Sequence, residues 1–125
     1  MHKTSGGLKL ERLTYVIDPG IAVHPDQVIA QIQSGAVSGL INTFRSKITL
    51  KDGRIEQSNF HDFPLLRMNQ MPEIKIVLLE SGDKPGGMGE TGVPLVAPAI
   101  ANAVFALTGK RVRSLPLSDS EIEFV

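Results

Sequence analysis

Cysteine is absent from the 125 residues, as is tryptophan. The first absence removes disulfides, thiolate metal sites, iron–sulfur ligation and thiol nucleophiles together, and it leaves the redox compartment unassigned. A surplus of either charge is also missing: 13 basic side chains stand against 13 acidic ones. Domains that grip nucleic acid concentrate positive charge to neutralise phosphates, whereas the longest basic run here is Lys110-Arg111, so no nucleic-acid partner is expected. No apolar run approaches the ~20 residues that span a bilayer, so no membrane span is expected. The opening Met1–Gly7 leads into a strand pattern rather than a signal-peptide core, which makes the cytoplasm the default expectation for location. A chain this short buries roughly two-thirds of its unfolded surface, which gives one core but no deep cofactor cavity. A single domain over residues 1–125 follows, with 1–7 and 118–125 expected to fray.

What is present divides into strand and helix patterns. Residues 8–17 (LKLERLTYVI) alternate as Leu8/Leu10 and then Leu13/Tyr15/Ile17 around a phase slip near Arg12, which predicts a long strand with a bulge. His24-Pro25-Asp26 has the chemistry of a helix start, and the spacing predicts a helix from Pro25 to Phe44. Gly35 and Gly39 sit one turn apart on its apolar face, each costing about 1 kcal/mol relative to alanine, which signals the close approach of another backbone or a ligand. Asp52-Gly53, between Lys47–Leu50 and Arg54–Gln57, is the signature of a two-residue type I′ hairpin. Residues 58–72 show neither period yet carry Phe60, Phe63, Leu65 and Leu66, so they read as an ordered loop packed over something, with Met68 and Met71 filling gaps beneath it. Glu73–Glu80 reads as a central strand because it becomes apolar on both faces. Pro94–Thr108 is apolar all round and reads as a buried helix ending at Gly109; Pro98 fits only a first turn, which moves the regular helix start nearer Ala97. The sum is an α+β domain in the order β-α-β-β-β-α: a mixed sheet of about four strands with two helices on one face.

Chemistry concentrates between Gly82 and Gly92, which hold five of the twelve glycines. Successive glycines let a backbone approach a ligand closely just where a helix N-terminus offers free N–H groups. The spacing matches neither a Walker loop nor a dinucleotide fingerprint, so a plain structural turn and a small anion-binding module both stand as readings. Glu90 lies in this loop; beside a helix N-terminus and an apolar helix it could serve as a general base, or it could simply cap the helix. His24 and His61 have no second ligand at short spacing and read as capping or surface histidines, so no protein-ligated metal is expected. Ser34, Ser38 and Ser81 lack a nucleophile-elbow pattern.

Seven segments taken in order carry a resemblance: Ile17-Asp18-Pro19-Gly20, His24-Pro25-Asp26, Gln31–Gly35, Lys51–Arg54, Ser58–Met68, Pro85–Glu90 and Ala97–Ala103. Over about residues 8–117 the chain resembles the C-terminal part of the molybdenum-binding large subunit of molybdenum hydroxylases, the superfamily of xanthine dehydrogenases and aldehyde oxidoreductases. Within it, isoquinoline 1-oxidoreductase β subunits are the nearest likeness. The resemblance implies hydroxylation of an N-heterocycle or an aldehyde with water as the oxygen source. Glu90 matches the family's Gly-x-Gly-Glu glutamate, the base that deprotonates a molybdenum-bound hydroxide. Gln31 matches the glutamine of a Gln-x-x-Gly segment that contacts the pterin, with Gly35 following it, and Gly86, Gly87, Met88 and Gly89 would line the molybdenum centre by backbone.

The same resemblance implies a molybdopterin-type cofactor in the complete enzyme and its absence from this chain alone, since family large subunits run to several hundred residues and most of the cofactor cage lies outside the segment seen here. The expected partners are the N-terminal part of the large subunit or its equivalent and a small iron–sulfur subunit. Apolar surface left uncovered favours self-association. The isolated chain is then expected to be inactive; a non-catalytic remnant or interaction module that keeps the fold without molybdenum is the alternative.

Overall fold

The computed structural model describes residues 1–120 and Phe124. Three strands, β1 (His2–Thr4), β2 (Gly7–Lys9) and β3 (Arg12–Ile17), precede helix α1 (Pro25–Phe44). The hairpin strands β4 (Leu50–Lys51) and β5 (Arg54–Ile55), then β6 (Glu73–Leu78) and helix α2 (Val96–Thr108), complete the order.

Among the described residues the strands form three two-stranded sheets instead of one mixed sheet of about four. β1 pairs antiparallel with β2, so His2–Thr4 is ordered and the opening residues do not fray as expected. The phase slip near Arg12 marks a change of partner: the chain leaves β2 at Lys9, and from Arg12 onward β3 pairs in parallel with β6. β6 has β3 as its sole strand neighbour among the described residues and is not central. Its register places Leu13, Tyr15 and Ile17 opposite Ile74, Ile76 and Leu78. That face meets the helices, while Arg12, Thr14 and Val16 point outward.

α1 begins and ends where its sequence pattern predicts, with Pro25 in the first turn and His24 as N-cap, its Nδ1 accepting from the Gln27 N–H. α2 ends at Gly109 in the left-handed region (φ 72°), which a glycine adopts without a Cβ penalty. Its apolar composition is broader than its buried stripe of Val96, Ile100 and Val104: Leu107 packs at the edge of the core, Arg111 lies 3.6 Å over the Phe105 ring, and Pro98, Ala99 and Ala106 are exposed. These three side chains interlock with Ile32, Ala36 and Leu40 of α1 and with Leu13, Tyr15 and Ile17. At roughly 1.5–3 kcal/mol for each fully buried aliphatic side chain, this cluster is the main stabilising term.

The two helix glycines have a packing explanation. A Cβ on Gly35 would lie 2.9 Å from the Cα of Gly92, and one on Gly39 would lie 2.5 Å from Val96 Cγ2 and 2.8 Å from the Val93 carbonyl. The approaching group is therefore the backbone that leads into α2. The relation is mutual, since a Cβ on Gly92 would meet the Ile32 carbonyl at 2.8 Å and the Gly35 Cα at 3.2 Å.

The Asp52-Gly53 hairpin forms with both residues at positive φ (51° and 75°), as a type I′ turn requires. Its apolar side chains face outward: Leu50 is 72% and Ile55 61% exposed. In the loop that follows, Leu66 packs on the core, but Phe60 is 77% exposed and Met68 91%, so Met68 fills no gap. The loop is ordered instead by Asp62, whose carboxylate accepts the backbone N–H groups of Ser58 (2.8 Å) and Asn59 (2.9 Å). At the other end, Leu117 is fully buried in a 3₁₀ turn and Phe124 packs edge-on against Phe44 at 5.0 Å, so these parts of the tail are held. The expectation of fraying otherwise falls on residues 121–123 and 125, outside the described residues.

Gly92→Ala sets a gain of about 1 kcal/mol or less from a stiffer unfolded chain against an overpacking cost of about 1–3 kcal/mol, so net destabilisation is predicted in chemical denaturation. Gly87→Ala, whose Cβ meets nothing within 4 Å, has the same unfolded-state gain without the overpacking cost and is predicted to hold or raise the midpoint; equal midpoints for the two variants would contradict this packing. Asp62 supplies a pH prediction. The N–H groups of Asn59 and Ser58 hold its carboxyl down to about 2. Because the folded value lies below the ordinary value of about 3.9, its contribution is present above that pH and fades as pH falls through about 2. An NMR titration should place the Asp62 midpoint near 2; a midpoint near 4 would remove this role for the carboxylate.

Candidate functional site

The parallel β3–β6 pair directs its carboxyl ends toward the N-terminus of α1, and two loops meet there. Residues 18–24 leave β3 and residues 79–95 leave β6. Asp18 organises the junction: its Oδ1 accepts from the Gly20 N–H (2.9 Å) and from the Ser81 hydroxyl (2.8 Å), and these two bonds, the Gly20 one foremost, hold its carboxyl below the usual range. Gly20 turns at φ 69°, and a Cβ there would lie 2.3 Å from the Lys84 carbonyl. The Ile21 N–H donates to the Asp83 carbonyl at 2.9 Å and the Gly86 N–H to the Pro19 carbonyl at 2.8 Å. The glycine-rich loop is thereby stitched along the loop that starts α1.

Between them lies an open cleft of about 340 Å³. Pro19, Ile21, His24, Gln27 and Gln31 line one side; Pro85, Gly86, Met88 and Gly89 line the other. Ligands of open parallel sheets bind outside the carboxyl ends of the strands, and this cleft occupies that position. Four residues singled out from sequence, Gln31, Gly86, Met88 and Gly89, are brought together in its lining. Gly87 and Glu90 do not line it, although Glu90 directly follows Gly89. Gly35 lies one turn along α1 from Gln31 and is covered by Gly92, so its close neighbour in this chain is backbone.

Glu90 differs from expectation in its surroundings. It is exposed, with no apolar cover from the described residues, and it does not cap α2. The N-cap of that helix is Leu95, while the Glu90 carbonyl accepts from the Val93 N–H at 3.0 Å in a preceding turn. The intervening residues Thr91–Leu95 separate the carboxylate from the helix dipole. Gly87 and Gly89 differ from Gly92 in their surroundings: none of the three has positive φ, but a Cβ on Gly87 or Gly89 would meet nothing within 4 Å. Nothing among the described residues demands glycine at 87 or 89, and the space beside them is open.

Three positions at the candidate site were hidden in the sequence. His24 and Gln27 join Gln31 in the cleft because positions 24, 27 and 31 recur at helical spacing, a polar stripe at the start of an otherwise apolar pattern. Tyr15, read only as a strand core residue, donates its hydroxyl to the Gly92 carbonyl at 3.0 Å, 77 residues away. Burial raises its phenol, so it stays a donor at neutral pH. No three His, Asp or Glu side chains gather into a metal-holding group among the described residues. No described helix is long and apolar enough to cross a membrane.

No family model matches the chain. Curated relatives do. The isoquinoline 1-oxidoreductase subunit beta of Brevundimonas diminuta is 35% identical over 116 residues, covering 93% of this chain and 15% of the relative. The membrane-bound aldehyde dehydrogenase of Gluconacetobacter polyoxogenes, whose name carries pyrroloquinoline quinone, is 32% identical over 120 residues, covering 96% and 16%. The aldehyde oxidoreductase molybdenum-binding subunit PaoC of Escherichia coli (strain K12) is 25% identical over 126 residues, covering 94% and 17%. Among solved structures, quinoline 2-oxidoreductase from Pseudomonas putida 86 superposes with a TM-score of 0.78 at 21% identity, over 87% of this chain and 15% of that one. The Brevundimonas and Escherichia names denote subunits, and the chain spans about 15% of the length of the first of these relatives. The chain is homologous to a segment of the molybdenum-binding subunits of the xanthine dehydrogenase and aldehyde oxidoreductase family.

Proposed function

We propose that this chain forms one wall of the cofactor site of a molybdenum hydroxylase, as the C-terminal portion of its large subunit, and that Glu90 is the base of a reaction hydroxylating an N-heterocycle or an aldehyde with water as oxygen source. The observation that carries this reading is the cleft in which Gln31 faces Gly86, Met88 and Gly89. The residues fit one side of a pterin. The Gln31 amide offers both donor and acceptor to a heterocycle edge, and at Gly86 and Gly89 the cleft wall is bare backbone that a ligand can approach closely. With no cluster of metal-ligating side chains among the described residues, the metal would be carried by its organic ligand. When bound, the molybdenum cofactor supplies two-electron redox chemistry.

This chain's own residues have separate tasks. Gln31 and the Gly86–Gly89 backbone bind and orient the pterin. Glu90, at the end of the glycine run, takes a proton onto a carboxylate oxygen from the oxygen nucleophile as that oxygen attacks the substrate carbon. A base needs to lie within hydrogen-bond reach of its proton and to be screened from bulk water, and the exposure of Glu90 assigns that screening to polypeptide outside this chain. The rest of a large subunit and a small iron–sulfur subunit that carries electrons away are the partners this reading requires. Apolar surface such as Leu50 and Ile55 is where such polypeptide could pack, and it would favour self-association of the chain alone.

In the complete complex purified with this chain, Glu90→Gln is predicted to lower turnover by about 10²-fold or more, the usual contribution of a general base, with molybdenum content unchanged. Gln31→Ala is predicted to lower the molybdenum retained through purification, measured by elemental analysis. Undiminished turnover in Glu90→Gln would sink the assignment of the base. A molybdenum-free complex would leave the non-catalytic module, or, if it carried a quinone and oxidised aldehydes, the chemistry named for the Gluconacetobacter relative.

A further inference from the structure

The carboxylate of Glu90 has no side-chain partner among the described residues, so its position is set by the backbone that carries it. Besides the local turn in which the Val93 N–H donates to the Glu90 carbonyl, that backbone has a tie on either side of Glu90 to the same distant stretch of chain. At the start of the loop the Gly86 N–H donates to the Pro19 carbonyl at 2.8 Å. At its end the Gly92 carbonyl accepts the Tyr15 hydroxyl at 3.0 Å. Between the ties, Gly87 and Gly89 loosen the chain, and Thr91 closes it on itself by donating its hydroxyl to the Gly87 carbonyl at 3.2 Å. Tyr15 is 5% exposed on the core face of β3, two residues from Leu13 and Ile17 in the same buried row, so its ring is fixed before the loop is considered. A buried, packed donor two residues beyond an exposed carboxylate is an arrangement that sets where that carboxylate stands.

Resting on the proposed role of Glu90, we infer that Tyr15 is a positioning residue: by holding the Gly92 carbonyl, its hydroxyl fixes where the glycine-rich loop presents the Glu90 carboxylate beside the cleft. The competing explanation is that Tyr15 only fills the core, which its ring would do without the hydroxyl. Tyr15→Phe separates the two, because it keeps the ring and removes one hydrogen bond to a buried carbonyl, an interaction worth roughly a factor of ten in local opening.

The test is amide hydrogen exchange on the full chain, with circular dichroism to check that the variant is folded. Tyr15→Phe is expected to accelerate exchange across residues 87–93 about tenfold while the core of α1, Ile32–Leu40, changes by less than about threefold. In the complete complex, kcat should fall about tenfold with KM and molybdenum content within about twofold, the signature of a misplaced base rather than lost binding. Loop exchange no faster than in the parent, or acceleration equal in loop and α1, overturns the inference. If Glu90→Gln abolishes turnover while Tyr15→Phe retains the parent kcat, the positioning role fails alone. If Glu90→Gln leaves turnover intact, the role of Glu90 fails and the positioning role with it, even where exchange shows that Tyr15 holds the loop.

Discussion

Two glycines in contact, Gly35 of α1 and Gly92 at the end of the glycine-rich loop, set the geometry on which the rest depends. Each occupies the space a Cβ on the other would need, so the loop backbone lies directly on the helix. That contact brings Val96, Ile100 and Val104 against Ile32, Ala36 and Leu40, and it stations the loop alongside the N-terminal half of α1. The cleft is a by-product of the same approach: with Gly92 held at Gly35, the preceding residues must run past Gln31 before reaching the end of β6. Packing and site are therefore one arrangement, and a methyl group at Gly92 should disturb both.

Much of this was legible in the sequence where a local rule governs. α1 keeps its predicted ends because proline and histidine chemistry fixes its start, and α2 stops at Gly109 because only glycine takes the left-handed turn there cheaply. The close approach at Gly35 was also legible, as a cost without a local reason, although the sequence left open whether a backbone or a ligand made it. What could not be read is what depends on pairing at a distance. The phase slip near Arg12 resembles a bulge in isolation, yet it is a change of sheet, since β2 and β3 answer to different partners. The apolar character of β6 and α2 suggested burial on all sides, which the described residues do not provide.

The same uncovered surfaces bear on the candidate site. Glu90, read beside a helix N-terminus and an apolar helix, stands exposed; Gly87 and Gly89, read as backbone that approaches a ligand, border open space. These departures share a direction. In the proposed reading the chain supplies the carboxylate, the amide of Gln31 and a backbone floor, and further polypeptide supplies the opposite wall. Its relatives, of which it spans about 15% in the first case, have the length to supply it. Tyr15 shows why a short segment can still hold its part in place: the row of buried side chains on β3 orders the loop from below, independently of what lies above.

A structure of the complete complex containing this chain, at a resolution that shows the cofactor, tests the cofactor wall most directly. Density for a pterin lying in the cleft, with the Gln31 amide in hydrogen-bond distance of it and the Gly86–Gly89 backbone against its face, is the predicted result. A cleft filled by protein side chains, with the cofactor bound elsewhere or absent, would contradict it.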